Sequence, residues 1–188
     1  MDYQTLSIPQ ILDEAEAIAV DAQKLFGHLT PEQINWKPGA GQWSVGQCLE
    51  HLILTDREMF VPLDEIIAGR KKTTLWERMP GVAGFFGKMM VKWLAPDGTQ
   101  KFKAMKSVDP AASTIDPRIV ARFDEHQREA IGKMKALERL DPARIVMTSP
   151  FIKLMVYSAL DACRIIVVHE RRHFAQAQRV MAAPGFPK

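Results

Sequence analysis

The sequence predicts an all-α fold, a four-helix bundle with a long basic excursion between its second and third helices. Three observations predict it. Four segments repeat apolar residues at three-to-four spacing, the period of a helix face. Residues that favour helix starts stand ahead of those segments. No alternating strand of convincing length and no internal repeat occurs. Four amphipathic stripes are most simply buried against one another in a bundle.

The first helix starts after Ser7, carries Ile11, Leu12, Ala15, Ile18, Ala22, Leu25 and Phe26, and ends near Gly27. Thr30-Pro31-Glu32-Gln33 then has the pattern of a capping box, with proline at the first helical position, and predicts one short helical turn. Lys37-Pro38-Gly39-Ala40-Gly41 stops it. The second long helix runs over about 44–68. Ser44 caps its free amides, Gln47 reaches back, and Trp43 closes over Cys48 as a hydrophobic staple. Its inner side carries Cys48, His51, Leu52, Thr55, Met59 and Leu63.

Over 70–106 the pattern breaks at Pro80-Gly81, Gly84, Gly87 and Pro96-Asp97-Gly98 into short pieces such as 85–94. Nine basic residues (Arg70, Lys71, Lys72, Arg78, Lys88, Lys92, Lys101, Lys103, Lys106) face only Glu77 and Asp97. That is a local excess of +7 in a chain of net charge +3, so the remainder carries −4. Asp116-Pro117 opens the third long helix, with Ile119, Val120, Phe123, Ala130, Ile131, Met134 and Leu137, which ends before Asp141-Pro142. The fourth opens at Ser158, with Asp161 three residues on, and ends at Pro184-Gly185.

At 188 residues, 47% apolar and 25% charged, the chain reads as one globular domain over 1–188 rather than a disordered or fibrous one. A net charge of +3 makes no global case for nucleic acid or membrane. Cys48 and Cys163 are too few for a disulfide framework, which points to a reducing cytoplasm. The first residues carry no signal-peptide pattern. No apolar stretch of about 18 residues predicts a spanning helix.

The chemistry lies in His169-Glu170-Arg171-Arg172-His173. Two histidines four apart on a helix differ by about 40° and can share an ion. Ala162, Ile165, Ile166, Gln176 and Val180 share their face, so the imidazoles point inward. Read literally, H-E-x-x-H is the zinc-protease motif with a glutamate base. That reading fails because no His, Asp or Glu follows His173 to supply a third ligand. A bundle draws ligands from facing helices, and His51 is the histidine on the inner face of the second helix. His51, His169 and His173 would leave an ion with open positions, as in catalytic rather than structural sites. Imidazole suits zinc, nickel, copper and iron, so the ligand set names no single metal.

Leu29-Thr30-Pro31-Glu32-Gln33 with Trp36, Trp43-Ser44-Val45-Gly46, Glu50-His51-Leu52, and His169 to His173 followed by Gln176 and Arg179-Val180 resemble, in order, the DinB/YfiT-like family of metal-dependent proteins. The resemblance spans 29–181 and is poorest over the basic excursion. It implies a four-helix bundle in up-down-down-up order, a zinc or nickel ion on His51, His169 and His173, and homodimerisation. The activities it implies are hydrolysis or transfer with a low-molecular-weight thiol, on a small-molecule substrate.

Plainer readings stand beside these. The histidine pair could be metal-free, and the protein a non-catalytic stress-response or binding scaffold with a vestigial or structural site. His126, on the flank of the third helix, is the rival ligand and ranks below His51. Glu170 could be a base at the rim, a partner of a ligand, or half of an ion pair with an arginine, the last being favoured. Arg171 and Arg172 read first as a solvated face and second as holders of an anionic group. Glu58 shares the His51 face, and Cys48 is better read as a small hydrophobe than as a ligand. The basic excursion reads as solvated surface, then as a lid drawing in anions, and last as an amphipathic docking patch. No base-reading motif supports a nucleic-acid partner.

Overall fold

Ser7 and Pro9 start α1 (Ile8–Phe26), whose buried stripe Ile8, Ile11, Ala15, Ile18, Ala22 and Phe26 follows the expected spacing. The structure, a computed structural model, describes residues 1–96, 105–111 and 114–188. Asp97-Gly98, Lys101 and Lys103 of the basic excursion lie outside the described residues. Thr30 and Gln33 cap the short α2 (Pro31–Asn35) reciprocally. Ser44 and Gln47 do the same for α3 (Val45–Ile67), so both predicted capping boxes form.

The basic excursion holds α4 (Val82–Leu94), opened by Gly81 at φ 79°, a conformation that favours glycine. α5 (Ile119–Glu138) begins after Arg118 rather than at the expected Asp116-Pro117. The Asp116 carboxylate accepts from the Arg118 amide at 2.9 Å and closes a turn ahead of the helix. α6 (Ala159–Met181) is capped by Ser158, whose side chain accepts from the Asp161 amide.

The all-α expectation needs one correction. β1 (Val146–Thr148) and β2 (Val156–Ser158) form an antiparallel hairpin that pairs Val146 with Ser158 and Met147 with Tyr157. Strands of three residues are too short to show alternation. The described residues thus form six α-helices, three short 3-10 turns and one two-stranded sheet.

Each of α1 and α3 packs against both α5 and α6, while α4 lies on α6 and β2. Ile11, Ile18, Phe26, Leu49, Leu52, Phe123, Ile166 and Phe174 meet in the core between them. Phe174 stands edge-on to Phe26 at 5.2 Å between centroids. Burial of each such side chain contributes about 1.5–3 kcal/mol, which sets the long helices firmly enough to aim side chains between them.

Two contacts tie the excursion down. Buried Glu77 takes Lys71 at 2.7 Å, the Thr74 amide at 2.8 Å and the Thr148 hydroxyl at 2.9 Å, joining the excursion to the hairpin. Gly87 of α4 sits on Asp161. A Cβ there would fall 2.6 Å from the Asp161 carboxyl carbon, which is held by Ser158 and Arg164 at 2.8 Å each.

Gly87→Ala should therefore destabilise the protein by about 1–3 kcal/mol despite its better helix propensity. Gly84→Ala, with open space around it, should stabilise by up to about 1 kcal/mol. Equal effects in denaturant unfolding would contradict the Gly87–Asp161 packing. Burial raises the Glu77 pKa, but Lys71 and the hydrogen bonds outweigh it and hold the carboxyl below its ordinary value. Its stabilisation is present above an unfolded pKa of about 4.3 and is lost as pH falls through the lower folded value. Glu77→Gln should cost about 1–3 kcal/mol at neutral pH, and the gap from wild type should close in acid. A gap that does not change with pH would count against this anchor.

Candidate metal centre

His51 comes from the second turn of α3, just past its Ser44 cap, and His169 and His173 come from consecutive turns of α6. All three are buried, and their ligand nitrogens lie within 4.8 Å of one another. Nε2 of His169 and Nε2 of His173 are 3.1 Å apart. An ion at about 2.0–2.1 Å from imidazole nitrogens needs them separated by about 3.4 Å in tetrahedral geometry. The α6 pair lies close to that spacing, and His51 brings a third ring nitrogen within 4.8 Å of both.

The orientation of His51 is fixed from behind. Its Nδ1 faces the Val108 carbonyl at 2.7 Å, so Nδ1 carries the proton and the Nε2 lone pair is left for the centre. Val108 belongs to a single helical turn, Lys106–Val108, at the returning end of the excursion.

Burial lowers the pKa of all three imidazoles. His169 is pushed down to about 3 by burial, then by the proximity of His51 and Arg172. His173 is lowered by burial, His169, His51 and Arg172, with Gln176 acting the other way. For His51, burial outweighs the Val108 carbonyl, Asp56 and Asp109. At neutral pH the three rings are uncharged, the form that binds a cation. The donor set therefore fits a divalent transition metal.

A cavity of about 830 Å³ opens onto the three histidines. Pro38, Gln42 and Trp43 from the loop before α3, Leu94 at the end of α4, and Asp109 line it. So do Arg172, Gln176 and Arg179 of α6. Trp43, expected over Cys48, has its ring stacked on His173 at 5.7 Å and against His51 at 4.8 Å. Such a volume suits a small molecule.

Other expectations resolve differently. Glu170 does not line the cavity. It is wholly buried on a neighbouring flank of α6, about 100° around the helix from His169, and accepts from Gln127 Nε2 at 3.2 Å. Burial, with Asp56 nearby, pushes its carboxyl well above the usual range. The favoured ion pair with an arginine is absent among the described residues: Arg171 pairs with Glu14 and Asp21, while Arg172 donates to the Trp93 and Ala95 carbonyls. His126 lies outside the trio, its Nε2 3.3 Å from Asp56 under the stacked ring of Phe60. Glu58 is exposed. Cys48 is fully buried with its thiol pushed up to about 12, chiefly by burial, as suits a small hydrophobe. Asp56, Gln127 and Asp109 were not singled out from the sequence. Polar residues at core-facing helical positions were the available signal for the first two, whereas Asp109 lies in irregular chain and gave none.

The chain is 26% identical over 153 residues to the uncharacterized protein YuaE of Bacillus subtilis (strain 168), covering 81% of this chain and 85% of that one. No solved structure matches it at a significant level. The DinB superfamily matches residues 15–177, a span that contains α3, most of α6 and all three histidines, and the chain belongs to that superfamily.

Proposed function

We propose that this protein is a metal-dependent enzyme acting on a small molecule at an open three-histidine centre, either as a hydrolase or as a thiol-dependent S-transferase. The observation that carries the reading is the meeting of His51, His169 and His173 at the wall of the 830 Å³ cavity. Zinc or nickel is the proposed ion, held by the three imidazoles. When bound, it supplies Lewis acidity, lowering the pKa of a water or thiol or polarising a carbonyl.

The chain's own groups prepare that chemistry. The Val108 carbonyl holds His51 in the tautomer that leaves Nε2 unprotonated. Trp43 covers the rings of His51 and His173, and Leu94 adds an apolar side chain to the cavity wall. Gln42 and Gln176 offer neutral donors and acceptors to a substrate, and Asp109 is the carboxylate among the described lining residues that can accept a proton. A four-helix bundle in up-down-down-up order, a homodimer and a cytoplasmic location complete the reading. No helix among the described residues is long and apolar enough to cross a membrane.

Elemental analysis after dialysis against zinc or nickel tests the proposal. Wild type should retain about one ion per chain, and His51→Ala should bind at least about 100-fold more weakly, because losing a ligand costs more than losing a ligand's support. A wild type without metal, or a variant that retains it fully, would overturn the centre.

Glu170→Gln separates this centre from the zinc-protease reading. With Glu170 facing Gln127 and burial favouring its uncharged form, the amide should leave metal stoichiometry unchanged and stability within about 0.5 kcal/mol of wild type. Loss of metal in this variant would show that the carboxylate serves the centre.

A further inference from the structure

Where the basic excursion meets the β1–β2 hairpin, apolar side chains come to the surface together. Trp76 Nε1 donates to the Leu154 carbonyl at 2.9 Å, and the Thr148 hydroxyl of β1 donates to Glu77 at 2.9 Å. The single helical turn Trp76–Arg78 is thereby fastened beside the hairpin tip. The tip is closed on itself: Ser149 Oγ accepts from the Phe151 and Ile152 amides, and the Ile152 carbonyl accepts from the Met155 amide at 2.8 Å. Leu75 is 83% exposed, Leu154 73%, Ile152 46% and Trp76 37%. Single exposed apolar residues are ordinary, but a group held in one place by hydrogen bonds marks a contact surface.

The charges around this group have one sign. Lys72 precedes Leu75 by three residues, Arg78 follows Trp76 by two, and Lys153 stands between Ile152 and Leu154; all three are exposed. Glu77 is the one carboxylate within 71–81 and 149–155, and it is buried against Lys71. An apolar group flanked by cations is complementary to a surface that has anionic headgroups outside and hydrocarbon beneath. Leu75 and Leu154 leave most of their area uncovered, and a fluid bilayer takes up such side chains without a matching pocket. Trp76 has the amphipathic ring that favours membrane–water interfaces, with its N–H already satisfied.

We propose that this surface docks the protein peripherally on a bilayer that bears anionic phospholipids. Leu75, Trp76, Ile152 and Leu154 enter the boundary between headgroups and acyl chains, and Lys72, Arg78 and Lys153 meet the phosphates. The surface shares no residue with the three-histidine cavity, so it stands or falls independently of the proposed centre.

The test is co-sedimentation of the full-length protein with vesicles of phosphatidylcholine alone and of an equimolar mixture of phosphatidylcholine and phosphatidylglycerol. Wild type should bind the mixed vesicles and not the neutral ones. Binding should weaken at least about fivefold in about 1 M salt, where charges are screened beyond about 3 Å. Leu75→Ser with Leu154→Ser, and separately Lys72→Gln with Lys153→Gln, should each weaken it at least about tenfold. Val20→Ser, at an exposed apolar position on α1, should leave it unchanged. Tryptophan emission should shift to shorter wavelength on the mixed vesicles, and Trp76→Phe should remove that shift. The replaced side chains are exposed or half-exposed, so the variants are expected to fold; far-ultraviolet circular dichroism checks this.

No binding to the mixed vesicles, equal binding to the neutral ones, or an affinity unchanged in either double variant would overturn the proposal. Sedimentation velocity without lipid decides between a bilayer and a second copy of this chain. An association state that is the same in wild type and in the Leu75→Ser, Leu154→Ser protein supports the bilayer. A wild-type dimer that this variant loses would show that a second copy covers the surface, and would overturn it.

Discussion

The setting of α3 against α6 is the constraint on which the site depends. His169 and His173 share a face by helix geometry alone, but two ligands cannot close a centre. The third comes from a helix more than a hundred residues earlier in the chain. A rotation of α3 by one residue, about 100°, would carry His51 away from the pair. That rotation is blocked at one end by the Ser44–Gln47 cap, with Gln47 also donating to the Ala111 carbonyl at 2.8 Å. It is blocked along the length by Leu49, Leu52, Met59 and Leu63 in the core. The Val108 carbonyl then sets the ring itself. Fold stability and site geometry are thus carried by the same residues.

Behind the histidines, α6 turns a different face to the core. Glu170, Gln127, Asp56 and His126 are buried there, and Glu170 Oε1, Gln127 Oε1 and His126 Nδ1 have no hydrogen-bond partner among the described residues. Unsatisfied buried groups cost stability, which sets this layer apart from the apolar core around it. It gives the glutamate of H-E-x-x-H a place in the interior rather than at the cavity. The five-residue pattern that in proteases gives two ligands and a base therefore places two imidazoles at the cavity here and no base, because the helix presents its intervening glutamate to another neighbour.

Much of the fold was legible because it is encoded locally. Capping boxes at Thr30–Gln33 and Ser44–Gln47 and the Ser158 cap fix helix starts through residues three apart, and periodic apolar positions mark the buried faces. The hairpin was not legible, since three-residue strands leave no pattern. The start of α5 shifted because Asp116 closes a separate turn. At the site, the inward face of His169 and His173 followed from spacing, and His51 from the need for a facing helix. The partners of individual polar groups did not follow. Trp43 on the imidazoles, Val108 behind His51, Asp56 against His126 and Gln127 against Glu170 all join residues far apart in sequence. Glu58 shows the converse: it matches the heptad of His51, yet it lies further along α3 and is exposed.

The central claim is that three imidazoles from two helices share one ion. X-ray absorption at the metal edge of the zinc- or nickel-loaded protein tests it most directly. The account predicts a first shell with three imidazole nitrogens at about 2.0–2.1 Å, with the multiple-scattering signature of histidine rings and the remaining positions taken by water oxygen. A shell containing sulfur, or one with fewer than three imidazoles, would contradict it.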